Sequence, residues 1–405
     1  MAFMARERWS RGCHDRSSPQ SNCRGRVLSA LLCLLAVAGC FYTLGAILAL
    51  ARYARQVHAM PLLFPPVTVL KPLHGEEPRL FENLSSFVTQ DYPGAVEFVF
   101  GVKDRGDPAV AVFNRLSAAF PHANLRLVVD SRHHGRNGKV SNLINMSRAI
   151  TGEVVVLADS DMLVEPDYLT RVVGALQTPG IGGVTCLYRG ISLPNVWSRL
   201  ATSWVDGQFL PNVVFGVTLG MAKPCFGSTI ALRRDTLDDI GGFATFKDHL
   251  ADDYEMGAAI RRLGFKIAVP ARPVIGHTSS STGFRALVQQ ELRWARTIKA
   301  VDLVGFAGSI VTHVLPLALL AVLADRFSPG ALILLAVALT LRCALLLQIK
   351  SFVQKDTAEL YLLPLRDLLS FAVFFVSFLP GSIEWRGHRF GVRSDGILTS
   401  PDSTG

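Results

Sequence analysis

Val154-Val155-Val156-Leu157-Ala158-Asp159-Ser160-Asp161 is the stretch on which the fold turns. Four aliphatic residues in a row, three of them β-branched and none alternating with polar partners, read as a strand buried on both faces of a parallel sheet. Ligands of a doubly wound α/β sheet bind at the carboxyl ends of its strands. Asp159 and Asp161 stand at such an end, where a pair of carboxylates can hold Mg2+ or Mn2+ against a diphosphate. A bare D-x-D also suits turns and caps. The buried strand before it and the acidic clusters flanking it in order favour the metal-binding reading.

Outward from that strand, 67–70, 96–101 and 125–129 have the same composition, and 78–88 and 108–119 carry apolar residues at helical spacing. This β-α-β-α order predicts a Rossmann-like, doubly wound α/β domain over about 62–285. Asp104 follows the second strand, where a carboxylate can accept a hydrogen bond from the uracil or ribose of a nucleotide; Asp107, before Pro108, suits a helix start. Gly135-Arg136-Asn137-Gly138-Lys139 reads as a flexible loop that presents Lys139 to a pyrimidine or phosphate. Asp252-Asp253 offers an acid-base group, with Asp253 the candidate base and Asp252 the alternate, although an acidic first turn also complements a helix macrodipole. His277 ends a further strand, either as an extra metal or phosphate ligand or as a core or turn histidine.

Half of the 405 residues are hydrophobic, and the mean hydropathy is +0.33, which leaves room for one large soluble domain and several membrane spans. The stretch 27–51 has no charged residue and is long enough to cross a bilayer. Val37-Ala38-Gly39-Cys40 resembles a lipoprotein-processing box, but the apolar run continues eleven residues past Cys40, which suits a retained span. Further spans are expected at 303–324, 329–349 and 360–380, with Arg366-Asp367 at headgroup level or facing a polar cavity. Residues 1–26 read as a disordered basic tail and 381–405 as a C-terminal tail. The net charge of +9 points to anionic partners, acidic lipids or a diphosphate, and no motif supports nucleic acid. Seven cysteines without a C-x-x-C pair indicate reduced thiols.

Gln290-Glu291-Leu292-Arg293-Trp294 lies on a periodic segment, 286–300, just before the second span. An interfacial helix would hold Trp294 at the headgroups and aim Arg293 at the diphosphate; a plain aromatic anchor is the simpler reading of Trp294. The order D, D-x-D, D, Q-x-x-R-W resembles the inverting, processive-type glycosyltransferases. Leu70-Lys71-Pro72-Leu73, Gln90-Asp91-Tyr92-Pro93, Asp107-Pro108-Ala109, Asp252-Asp253-Tyr254 and Trp385-Arg386-Gly387 narrow the similarity to the ceramide glucosyltransferase family, including bacterial relatives that glycosylate hopanoids, over about 27–393. The resemblance implies a GT-A catalytic domain, a UDP-sugar donor carrying glucose or N-acetylglucosamine, a membrane lipid acceptor such as a hopanoid or ceramide, and a multi-pass protein of the bacterial inner membrane; because nucleotide sugars are made in the cytosol the domain is expected to face it, which puts the Arg-rich N-tail outside, against the positive-inside rule. It implies Asp253 as base, Asp104, Lys139 and Asp159 on the nucleotide sugar, Asp161 with Asp159 on the metal, and Gln290, Arg293 and Trp294 at the diphosphate and acceptor. Animal ceramide enzymes carry Gly at the position of Asp161, so the complete D-x-D here favours metal dependence and weakens the transfer of ceramide as acceptor. A processive polysaccharide synthase would share the motifs but need more spans; a periplasmic lipoprotein or a transporter would not need the ordered carboxylates.

Overall fold

The computed structural model describes residues 19–57, 60–354, 359–380, 383–385, 388–392 and 397–399. Its strands in chain order are β1 (Val67–Pro72), β2 (Val96–Val102), β3 (Asn124–Val129), β4 (Val154–Leu157), β5 (Met162–Leu163), β6 (Ile181–Val184), β7 (Tyr188–Ile191), β8 (Ile230–Arg233), β9 (Lys266–Ala268), β10 (Ile275–Thr278), β11 (Ile383–Trp385), β12 (His388–Val392) and β13 (Leu398–Thr399). Among the described residues they form a seven-stranded sheet, β3-β2-β1-β4-β8-β6-β9, and two three-stranded sheets, β5-β10-β7 and β11-β12-β13.

The expected strands are present, and β1 and β4 are buried along their whole length. Alternate side chains explain this. Val67, Val69, Val154 and Val156 pack under the Leu80–Val88, Ala109–Ala119 and Tyr168–Leu176 helices. Leu70, Val155 and Leu157 pack under Gly138–Met146 and Asp252–Arg262 on the other face. Two expectations are corrected. The sheet is mixed, because β8 runs antiparallel between β4 and β6, whereas β1 to β4 are parallel. Leu125 to Val129, expected to be buried on both faces, form most of the edge strand β3, which is only half covered.

The membrane part differs more from its sequence reading. The first helix runs Pro19–Tyr53, so it takes in the end of the expected tail, whose residues 1–18 lie outside the described residues. Among the described residues two helices are long and apolar enough to cross a membrane, Gly25–Tyr53 and Pro329–Val353; a third span is made if Leu303–Thr312 and Val314–Ala324, bent by 64°, count as one. The expected span at 360–380 is a 14-residue helix, Leu363–Val376, about 21 Å long and shorter than a bilayer core. Arg366 and Asp367 are enclosed within the protein: both are 3% exposed. Arg366 pairs with Glu291 at 2.7 Å, and Asp367 accepts from Arg342 at 2.8 and 2.6 Å. Burying one such charge without the other is far more costly than burying both, so the pairs fix how these helices pack.

Candidate active site

The D-x-D turn is held by its backbone. Asp159 O accepts from Lys71 Nζ at 2.6 Å, Ser160 O from Asn83 Nδ2 at 3.4 Å, and Asp161 O from the amide of Thr278 at 2.9 Å. With all three carbonyls engaged, the two carboxylates have a fixed aim. Lys71 is fully buried on β1, with Nζ 3.5 Å from the centroid of the Phe87 ring. Burial lowers its pKa to about 7 against the pull of Asp159, Asp161 and Glu77. Neither Lys71 nor Asn83 was singled out from sequence as a site residue, although Lys71 lay in a stretch that carried the family resemblance.

Lys139 is not on a flexible loop. Asn137 caps the Gly138–Met146 helix, its side chain accepting from Val140 N, and donates to Asp252 Oδ1 at 3.1 Å. Lys139 therefore projects from a first helical turn, 2.6 Å from Asp159 Oδ1 and 3.9 Å from Asp252 Oδ2. Burial works against its charge, but Asp159, Asp252 and Asp253 outweigh it and raise its pKa. Asp253 opens the Asp252–Arg262 helix and accepts from the amides of Gly227 and Tyr254, both at 2.8 Å. Burial, then the neighbouring Asp252, push its pKa up to about 6. Asp252 is also pushed up by burial, and its Oδ2 is buried without a hydrogen bond. Gly227 was missed from sequence. A Cβ there would stand 2.7 Å from Lys139 Nζ, 3.1 Å from Asp159 Oδ2 and 3.6 Å from Asp253 Oδ2, so a larger residue would push the lysine aside and crowd both carboxylates.

The small sheet brings His277 to Asp161: β10 pairs antiparallel with β5, and Nε2 lies 3.2 Å from Asp161 Oδ2. Burial opposes the imidazolium, but Asp161 overrides it and raises the His277 pKa, while the same pairing holds Asp161 low despite its burial. Asp161 Oδ1 and His277 Nδ1 are buried without a hydrogen-bond partner. Among the described residues no group of three or more His, Cys, Asp or Glu side chains is arranged to hold a metal. A carboxylate with a free oxygen beside an imidazole suits an ion that takes its remaining ligands from phosphates and water. Asp159, expected to assist at the metal, is the counter-ion of Lys139 in this structure.

Asp104 lies just beyond β2 at the same edge, exposed, its carboxylate accepting from Gly106 N at 2.5 Å in a local turn. It does not join the Asp159–Lys139–Asp253 cluster. Gln290, Arg293 and Trp294 are on the Phe284–Val301 helix. Gln290 Oε1 accepts from Ser281 Oγ at 3.0 Å, and the Trp294 ring lies 6.0 Å from that of His277. The charge of Arg293 reaches Tyr188, which also feels Asp253 and Asp161.

Comparison with known proteins agrees with this geometry. A mannosyltransferase from Pyrobaculum calidifontis, solved with GDP-Man and Mn2+, superposes with a TM-score of 0.52 at 24% identity, covering 86% of this chain and 97% of its own, and shows a shared GT-A-type fold. Ceramide glucosyltransferase 1 of Caenorhabditis elegans is 26% identical over 270 residues, 62% of this chain and 55% of its own. A Bradyrhizobium diazoefficiens N-acetylglucosaminyltransferase is 27% identical over 251 residues, covering 58% of this chain and 49% of that protein. Beta-monoglucosyldiacylglycerol synthase of Synechocystis is 26% identical over 238 residues, 57% and 47% of the two chains. The chain spans about half the length of these curated relatives. The family model for glycosyl transferase family 21 matches residues 31–398, and the chain belongs to that family.

Proposed function

We propose that the protein moves glucose or N-acetylglucosamine from a UDP-sugar to the hydroxyl of a membrane lipid, a hopanoid, ceramide or diacylglycerol, in one displacement that inverts the anomeric carbon. The observation that carries this reading is Asp253: a half-buried carboxylate with a pKa near 6, held by two amides beside Lys139 and Asp159. A base with that pKa is ionised at neutral pH and still strong enough to take a hydroxyl proton. Inversion needs one base and no nucleophile on the enzyme, and Asp253 fills that role. The proton of the acceptor hydroxyl passes to an Asp253 oxygen as the new bond to the anomeric carbon forms and the diphosphate leaves.

Lys139 and Arg293 supply positive charge toward the diphosphate, and Lys139 exchanges its contact with Asp159 for a phosphate oxygen as donor binds. Asp104 and Asp159 take the nucleotide. Asp161 and His277 would hold Mg2+ or Mn2+, which when bound would neutralise charge on the leaving UDP. The chain would sit in the cytoplasmic (inner) membrane with its catalytic domain in the cytosol, where nucleotide sugars are made. Purified enzyme given UDP-glucose or UDP-N-acetylglucosamine with each candidate lipid should yield a glycolipid with inverted anomeric configuration. Finding sugar on none of them, with the donor intact, would sink the reading.

A further inference from the structure

We propose that Tyr188, Trp204, Phe209, Phe226 and Trp294 form the acceptor subsite, an aromatic collar that receives the hydroxyl-bearing head of a membrane lipid next to Asp253; the inference rests on the lipid-glycosyltransfer reading above. The rings close a circuit. Tyr188 stacks on Phe209 at 4.4 Å, Phe209 on Trp204 at 6.1 Å, and Trp204 on Trp294 at 5.1 Å. His277 completes it, 6.0 Å from Trp294 and 5.7 Å from Tyr188, and Phe226 stands at 5.9 and 5.1 Å from Tyr188 and Phe209. A cluster that only filled the core would be buried. All five collar residues are partly exposed, while Ser203, Val205, Leu210, Gly227 and Ala295 beside them in the chain are buried.

The collar joins the carboxylates to the membrane helices. At one end Phe226 precedes Gly227, whose amide holds Asp253, and His277 touches Asp161. At the other, Trp204 and Phe209 bound a π-helical turn, Val205–Phe209. Residues five apart on an α-helix point about 140° away from each other, whereas the wider π turn brings them toward the same side. The turn is therefore what lets Trp204 stack on Phe209. It is anchored to the membrane helices: Gly207 O accepts from Arg342 at 3.0 Å, and Gln208 Nε2 donates to Thr312 Oγ1 at 2.6 Å. Lys139, 2.6 Å from Asp159, supplies the cationic part of the site and suits the charged donor instead. Aromatic faces with polar edges fit a head that is apolar below and hydroxylated at its tip.

The test is a kinetic split. Trp204→Ala, Phe209→Ala and the milder Trp204→Phe would be assayed with UDP-glucose against dioctanoylglycerol and hexanoyl-ceramide in detergent micelles. We expect the alanine variants to raise the KM for lipid at least about tenfold and to change the ratio of the two lipids, with the KM for UDP-glucose within about twofold; Trp204→Phe should recover most of the loss. Equal rises in both KM values, or an unchanged lipid KM and preference in folded variants, would overturn the collar. If the alanine variants do not fold, Trp204→Phe and Phe209→Leu decide by the same lipid preference. Wild-type enzyme that glycosylates no lipid would overturn the lipid reading itself, whereas active wild type with indifferent variants would overturn only the collar.

Discussion

At Asp253 burial sets the sign of the pH dependence. Desolvation and the charge of Asp252 raise its pKa to about 6, and a base acts only when ionised. The apparent kcat/KM should therefore fall about tenfold per pH unit below about 6 and level off above it. Asp253→Asn should lower turnover at least about 10²-fold with little change in UDP binding; near-normal turnover in that variant would refute the assignment. Chelation gives a second residue-scale outcome. If Asp161 and His277 hold a divalent ion, excess chelator should abolish transfer, added Mn2+ or Mg2+ should restore it, and Asp161→Ala should stay inactive with metal; full activity in chelator would remove the ion from the mechanism. Asp159, Asp161 and Asp253 were legible because acidic residues after a buried strand or opening a helix stand out locally. Lys71 and Gly227 were not. Lys71 reaches its acceptor across 88 positions, and the crowding around Gly227 arises only where three side chains converge.

The Phe284–Val301 helix was legible as an element, but not how it is held. Glu291, in the middle of its motif, is buried against Arg366 in a two-pronged pair, 75 positions away. From sequence alone Arg366 sat in an apolar stretch and suggested a residue at headgroup level or facing a polar cavity, because nothing local marks its partner. Glu291→Gln leaves a buried guanidinium short of its counter-charge and should cost up to about 3–5 kcal/mol, while Glu291→Leu with Arg366→Met should regain much of it; thermal midpoints of the two variants in detergent check this, and equal midpoints would deny the pair its packing role. On the same helix, Arg293→Lys keeps the charge but loses the planar fork. If Arg293 grips the diphosphate, activity should drop roughly tenfold with membrane insertion unchanged, and Trp294→Phe should be milder. Full activity of Arg293→Lys would return the motif to a membrane anchor.

Over the whole molecule, packing sets how the apolar helices lie against one another, which hydropathy could not, and predicts the number of crossings. Ala46, Leu50 and Tyr53 of the first helix pack with Leu345, Ile349 and Phe352, and Ala36 packs with Ala338, so Pro19–Tyr53 and Pro329–Val353 run parallel. Their C-terminal ends both meet the catalytic domain, where the Tyr53 hydroxyl donates to Val269 O and Arg272 donates to Phe352 O. The chain leaves that domain at Val301 and returns to the other end of this helix pair at Pro329, so we expect the bent pair Leu303–Thr312 and Val314–Ala324 to make a crossing. After Val353 we expect it to stay on the near face, because Leu363–Val376 has only 14 residues and Ile397 bridges to His249 of the catalytic domain. Arg52 and Lys350 in the last turns of the two parallel helices lie on the near face, but Arg24 and Arg26 lie at the other end of the first helix, so basic residues flank both faces and charge counting does not orient the chain. In a cysteine-free background, Arg326→Cys should react with an impermeant maleimide in intact cells, and Arg105→Cys or Ile397→Cys only after permeabilisation. Protection of Arg326→Cys would make the bent pair re-entrant, and labelling of Ile397→Cys from outside would turn Leu363–Val376 into a fourth crossing.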